Sequence, residues 1–500
     1  MNLTTKAILT MGASLVDQFL RISVNLLLTP YIVSICGAAG FGLWQMVLKT
    51  TTLLQPFDGR SGECLKWQIS RNLDDKSNSA KEKLLSSGIV YCFLCYPVVI
   101  IAGLIWYSVA PYLYTEDLKE IGVLIVISIL NIISLSVLGV FDGVLRGANI
   151  AYKRVGTLSL ITIFGAMLQY ITLINGFGLP GLAVSQLIVG FTQSFLLYFI
   201  LKRNLPWFRF VTPKINELKD FYSKSIWFAV WSFINVAILS VDVLLIGAYF
   251  STEVVAEYTI TLFASQTVIV IVLTALSSTL PGMGGVLGRG NLSQARDLRE
   301  ESRLYVWILS VIFCSVLLVV NKSFVSLWIG DSAFVGYELN LAIIILTFVT
   351  SFVRYDSSML NMTMSVKKKT IMGLYSLLIT LLFSFPMFHF FGIWGVLMSL
   401  LIGRTYIYFG YGNEINRFLK TKFTFGKQSF VRCIFTVTMF VLSYFLGENF
   451  VANSWLSLFS ISLLLFILMF ILSLFFSINK KEREMFYRRL RKVSNAKINF

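Results

Sequence analysis

Fourteen windows of about twenty consecutive, mainly apolar residues run through this chain, and they limit its fold more than any other feature. They lie near 10–36, 40–57, 84–107, 121–145, 155–175, 182–201, 225–250, 258–280, 304–320, 339–361, 370–390, 395–411, 431–447 and 455–478. In hydrocarbon every backbone polar group must find its partner within the protein, so each window predicts a helix that crosses a bilayer. The connections carry a second signal. Of the 42 Lys and Arg, 36 lie in or at the edge of one alternating set of connections, both chain ends included, whereas the other set holds only Lys119 and Lys322. That bias predicts both termini on the cytoplasmic side. It also spreads the net charge of +17 over all the inner loops, which argues against nucleic acid as a partner.

The expected class is therefore an all-α polytopic membrane protein with about 14 transmembrane helices. Only 13% of the residues are charged, against about a quarter in soluble domains. The longest inner connections, near 58–83 and 202–224, show no apolar periodicity for a separate domain. Function is expected inside the membrane. The first apolar run is too long for the core of a signal peptide and predicts a retained helix. One His and six Cys form no cluster that predicts a metal or cofactor, and Cys92 with Cys95 reads as packing within an apolar helix. No GxxxxGK[ST] is present, and no residue pattern predicts a catalytic site.

An internal repeat organises the windows. FGLPGLAVSQLIVG at 177–190 matches FGIWGVLMSLLIGR at 391–404, and the same separation of 214 pairs Asp142 with Asp356 and Lys153 with Lys367. Six windows separate equivalent points, so the two halves run parallel, and such halves flank a central cleft that binds substrate near the midplane. The expected organisation is an N-terminal six-helix half over 1–201, a cytoplasmic linker over 202–224 and a C-terminal six-helix half over 225–411. Residues 412–500 then supply an inner loop, two further helices and a basic tail.

Polar residues inside such windows are costly and need a partner or a use. In the first window Ser14, Asp17, Gln18, Arg21 and Asn25 share about a 100° arc, and Gln45 and Lys49 share a face in the second. Arg404 lies in the twelfth window and Asp242 in the seventh. Arg21, Lys49 and Arg404, with Asn25 and Gln45, are the expected substrate contacts, because a cavity lined by cations attracts an anion. Asp17 and Arg21 stand four residues apart and could instead satisfy each other. Asp17 and Asp242 are the expected ion-coupling carboxylates. Asp142, Asp356 and Arg354, near helix ends, are expected to form a cytoplasmic gate or structural contacts.

GAAGFGLW at 37–44, its repeat partner VVAEYT at 254–259 and the FG-x-x-G runs resemble the multidrug, oligosaccharidyl-lipid and polysaccharide exporter superfamily. Within it the chain most resembles the Wzx-type polysaccharide flippases. The resemblance implies transport of undecaprenyl-pyrophosphate-linked oligosaccharide across the bacterial inner membrane for O-antigen, capsule or other surface polysaccharide. Membrane lipid and a polysaccharide polymerase are the implied partners. The extra helix pair resembles the lipid II flippases instead. A multidrug or cation antiporter of the same fold is the alternative, but it would favour an acidic cavity. A membrane polymerase or ligase would need large outer loops, which this chain lacks.

Overall fold

The apolar windows become helices that overrun them at both ends. In the computed structural model, which describes residues 3–71, 78–114, 118–277, 283, 286–287, 289–362, 366–421, 426–476 and 482, these helices carry nearly the whole chain. The first seven are α1 (Leu3–Leu54), α2 (Ser61–Arg71), α3 (Asn78–Leu113), α4 (Leu118–Gly147), α5 (Val155–Ile174), α6 (Gly178–Asn204) and α7 (Ile215–Tyr249). The second seven are α8 (Thr252–Ser277), α9 (Leu292–Trp328), α10 (Tyr337–Met362), α11 (Val366–Phe391), α12 (Ile393–Phe418), α13 (Lys427–Asn449) and α14 (Trp455–Phe476).

Among the described residues, 13 helical stretches are long and apolar enough to cross a bilayer. The first of them runs for 43 residues, which at 1.5 Å each is about twice the hydrocarbon thickness. It is two passes rather than one. Gly37, at φ 75° and ψ 171°, leaves the helical region and separates them, a conformation open to glycine because it has no Cβ. The chain is a multi-pass membrane protein.

The separation of 214 seen in the sequence recurs in the helices. Shifted by it, the bounds of α3 fall on those of α9 to within a residue, and α6 falls on α12 in the same way. Gly178 and Gly392, at the starts of α6 and α12, both have positive φ, 52° and 57°. The break at Gly37 likewise corresponds to Ser251, between α7 and α8.

By packing, the chain forms two compact units, Met1–Ala256 and Glu257–Phe500. In the first unit, α2 is a packed helix within the connection near 58–83. It buries Cys64, Leu65 and Ile69 against Val144, Leu197, Leu201 and Phe221. Its Gly62 lies directly on α4, where a Cβ would stand 2.0 Å from the carbonyl oxygen of Gly139. Small residues that let backbones touch are the usual glue between helices in lipid. α7 packs in this unit, against α1 and α3.

The second unit is built around α9, whose Trp307, Ile308, Val311 and Ile312 pack with Phe352 of α10, Phe435 of α13 and Met469 of α14. The final hairpin docks on α9 by backbone contact. A Cβ at Gly447 would stand 2.3 Å from the carbonyl oxygen of Leu318, so no larger residue fits without a shift. The backbone N–H of Ala452 donates to Ser323 Oγ at 3.0 Å on the same helix.

Candidate functional site

In the first unit, the polar face of α1 lies beside a charge network. Arg21 Nε donates to Asp17 Oδ2 at 3.1 Å, with the Arg21 side chain 56% exposed. Asp142 is buried in α4 and its two carboxylate oxygens are engaged by Arg146 and Arg154. Arg146 also approaches Glu63 of α2 at 3.7 Å, and Glu63 pairs with Lys66 at 3.5 Å. Asp17 and Arg21 both act electrostatically on Arg154, which joins the α1 pair to the Asp142 cluster. Asn25 is exposed, Gln45 and Lys49 are half-buried on the second pass of α1, and Asp242 is buried within α7.

In the second unit a cavity of about 1130 Å³ opens between α9, α10, α12 and α13. Its lining is graded along the helices. One level carries Arg296, Arg299, Arg303, Asn416, Arg432 and Glu482, whereas the other carries Leu341, Ile345, Phe348, Val441 and Phe445. Arg432 and Phe445 are thirteen residues apart on α13, which corresponds to roughly 20 Å of helix. The lining is therefore polar at one end and apolar at the other.

The three arginines of α9 stand at intervals of three and four residues and share one face of the helix. Each has a defined partner. Arg296 donates from Nε to the carbonyl of Leu419 at 2.8 Å and from Nη2 to that of Lys420 at 3.3 Å. It thereby caps the negative end of α12, where a cation is favoured. Arg299 bonds the Asn416 side chain and donates to the carbonyl of Gly412 at 3.3 Å. Arg303 donates to Tyr408 Oη at 3.1 Å and lies over the rings of Phe352 and Tyr408, at 5.8 and 5.5 Å. Arg432 stacks over Trp307 at 5.7 Å and pairs with Glu482 at 2.5 Å. Arg296 and Arg299 thus hold α12. Arg303 and Arg432, each with 22% of its side chain exposed, line the same cavity. Four arginines against two glutamates, Glu300 and Glu482, leave its lining cationic.

The remaining expected residues lie around this cavity or apart from it. Asp356, fully buried in α10, stands behind Arg303 with its Oδ2 at 3.8 Å from Nη2. Arg404 is buried in α12, close enough to Tyr411 to act on it electrostatically. Arg354 is half-buried in α10 and acts electrostatically on Lys369, whose ammonium donates to Asn361 Oδ1 at 2.7 Å. The structure brings Asp17 together with Arg21 and places Arg303 and Arg432 on one cavity, although neither of the last two was singled out from the sequence.

Comparison with known proteins supplies the family context. The family described as polysaccharide biosynthesis protein matches residues 7–285. No curated protein matches the chain in sequence. Among solved structures, the lipid II flippase MurJ in an inward closed conformation superposes with a TM-score of 0.70 at 15% identity, covering 97% of this chain and 99% of that one. An inward-facing multidrug resistance transporter of the MATE family, in the MOP superfamily, gives 0.65 at 15% identity over 80% of this chain and 98% of that one. A Pyrococcus furiosus transporter of the MOP superfamily, described as having a binding pocket of reversed polarity, gives 0.56 at 14% identity over 84% of this chain and 96% of that one. The chain has the fold of this superfamily.

Proposed function

The chain belongs to the polysaccharide biosynthesis protein family, and from that premise we propose that it is a flippase for undecaprenyl-pyrophosphate-linked oligosaccharide. It would move these repeat units across the bacterial inner membrane by alternating access, with both termini cytoplasmic and a polysaccharide polymerase as downstream partner. One observation carries the reading: the cavity of the second unit offers arginines at one end and an aromatic and aliphatic wall at the other. A lipid diphosphate has the matching character, with about two negative charges on its head and a long apolar tail. Arg303 and Arg432 are the proposed headgroup contacts in this cavity. A cationic drug would meet the wrong charge there, which disfavours the antiporter reading.

Arg21, Lys49 and Arg404, with Asn25 and Gln45, are proposed as further contacts on the headgroup and its sugars. Asp17 and Asp242 are proposed as ion-coupling carboxylates. Asp142, Asp356 and Arg354 are proposed as structural or gating residues. The test is restoration of surface polysaccharide in a strain lacking the protein. At equal protein level in the membrane, Arg303→Ala with Arg432→Ala should cut restoration on the order of tenfold, since two charge-assisted contacts are lost. Full restoration by this double variant would refute the headgroup assignment.

A further inference from the structure

Among the described residues of the second unit, Asp356 is a buried carboxylate without a hydrogen bond. It is 0% exposed, and neither carboxylate oxygen accepts a hydrogen bond among the described residues. Its ion-pair contact is Arg303 at 3.8 Å, too long for a hydrogen bond. Asp142, its equivalent at the separation of 214, is held by two arginines. Buried carboxylates are normally paired and hydrogen-bonded, so so loose an arrangement calls for a reason. The charged and titratable groups around Asp356 are Arg299 and Arg303 from α9, Tyr355 on its own helix, and Tyr408 of α12 through its bond to Arg303.

Arg303 faces two ways. Its guanidinium reaches back to Asp356 and also lines the cavity in which the lipid diphosphate is placed above. We propose that Asp356 and the anionic headgroup compete for Arg303, so that headgroup binding is coupled to uptake of one proton by Asp356. This inference rests on the flippase reading. An arriving diphosphate draws Arg303 into charge-assisted hydrogen bonds, which are stronger than a 3.8 Å ion contact. Asp356 is then left as a buried charge without its counter-ion, a state that neutralises rather than persists. One O–H bond forms on the carboxyl group with a proton taken from water. When the headgroup leaves, the proton leaves with it, and Arg303 returns to the carboxylate.

The experiment is titration calorimetry on the full-length protein in detergent, with geranylgeranyl diphosphate as the probe. Heats measured in two buffers of different ionisation enthalpy give the protons bound per ligand. Wild-type protein should take up about one proton more than Asp356→Asn, since protonation of the headgroup itself is common to both. Relative to the variant, its affinity should fall as pH rises, with a slope of at most about tenfold per pH unit, the limit that one linked proton imposes. Arg303→Gln gives an independent reading if Asp356→Asn does not fold. It removes the object of the competition, so it should also lose the extra proton, with weaker binding. Equal proton counts in wild type and in either folded variant would overturn the coupling while leaving the flippase reading intact. Failure of wild-type protein to bind the probe would overturn both.

Discussion

Arg21 shows how a single pair in this chain can be read two ways. Its bond to Asp17 was legible from a spacing of four residues, and the structure forms it at 3.1 Å. Yet its side chain remains largely exposed, and an exposed pair contributes little to stability. If Arg21 grips a headgroup, charge alone does not suffice, because the guanidinium offers a bidentate fork and an ammonium does not. Arg21→Lys should then transport at a reduced rate and Arg21→Ala at a lower one, measured as surface polysaccharide at equal protein level. If Arg21 only neutralises Asp17, the double change Asp17→Asn with Arg21→Gln should restore what Arg21→Gln alone loses. Arg303 and Arg432 were harder to find. Arg303 closes a segment that reads as an inner loop, because the apolar window of its helix begins only at 304, and Arg432 looks like a helix-end cation. The available signal was the spacing of Arg296, Arg299 and Arg303, which fits one face of a helix.

At the level of elements, the helices were legible from apolar windows and their ends were not. α9 begins twelve residues before its window and α7 ten residues before its own, since a polar helical extension carries no hydropathy signal. α2 was missed because its buried face, Cys64, Leu65 and Ile69, is too short to show a period. The docking of the final hairpin on α9 depends on a backbone contact at Gly447, which no periodicity announces. The cavity that α13 lines was therefore invisible in the sequence. The sidedness that the Lys and Arg bias proposes can be checked on single positions. A cysteine introduced at position 449, at the end of α13, should label with a membrane-impermeant thiol reagent from outside, and one at position 290 only from inside. Positions 76 and 116, which follow from the same bias, lie outside the described residues. Native Cys64 should stay silent in this assay, because burial pushes its thiol up to about 11 and leaves little thiolate at neutral pH. Labelling of position 449 only from inside would invert the proposed topology.

For the whole molecule, the proposed cargo rests on the family and on the cationic cavity of the second unit. An amphiphile with an anionic head requires fixed positive charge in a site that also receives a hydrocarbon chain. The second unit provides both over the length of one helix. The measurement that tests this most directly is translocation in reconstituted vesicles, with the purified full-length protein and a fluorescently labelled undecaprenyl-pyrophosphate-linked oligosaccharide. An impermeant quencher added outside reports how fast the inner pool reaches the outer leaflet. The account predicts that wild-type protein makes the inner pool accessible far faster than protein-free vesicles do, and that Arg303→Ala with Arg432→Ala returns the rate towards that background. Vesicles containing wild-type protein that quench no faster than empty ones, while the same protein moves a cationic drug, would contradict it.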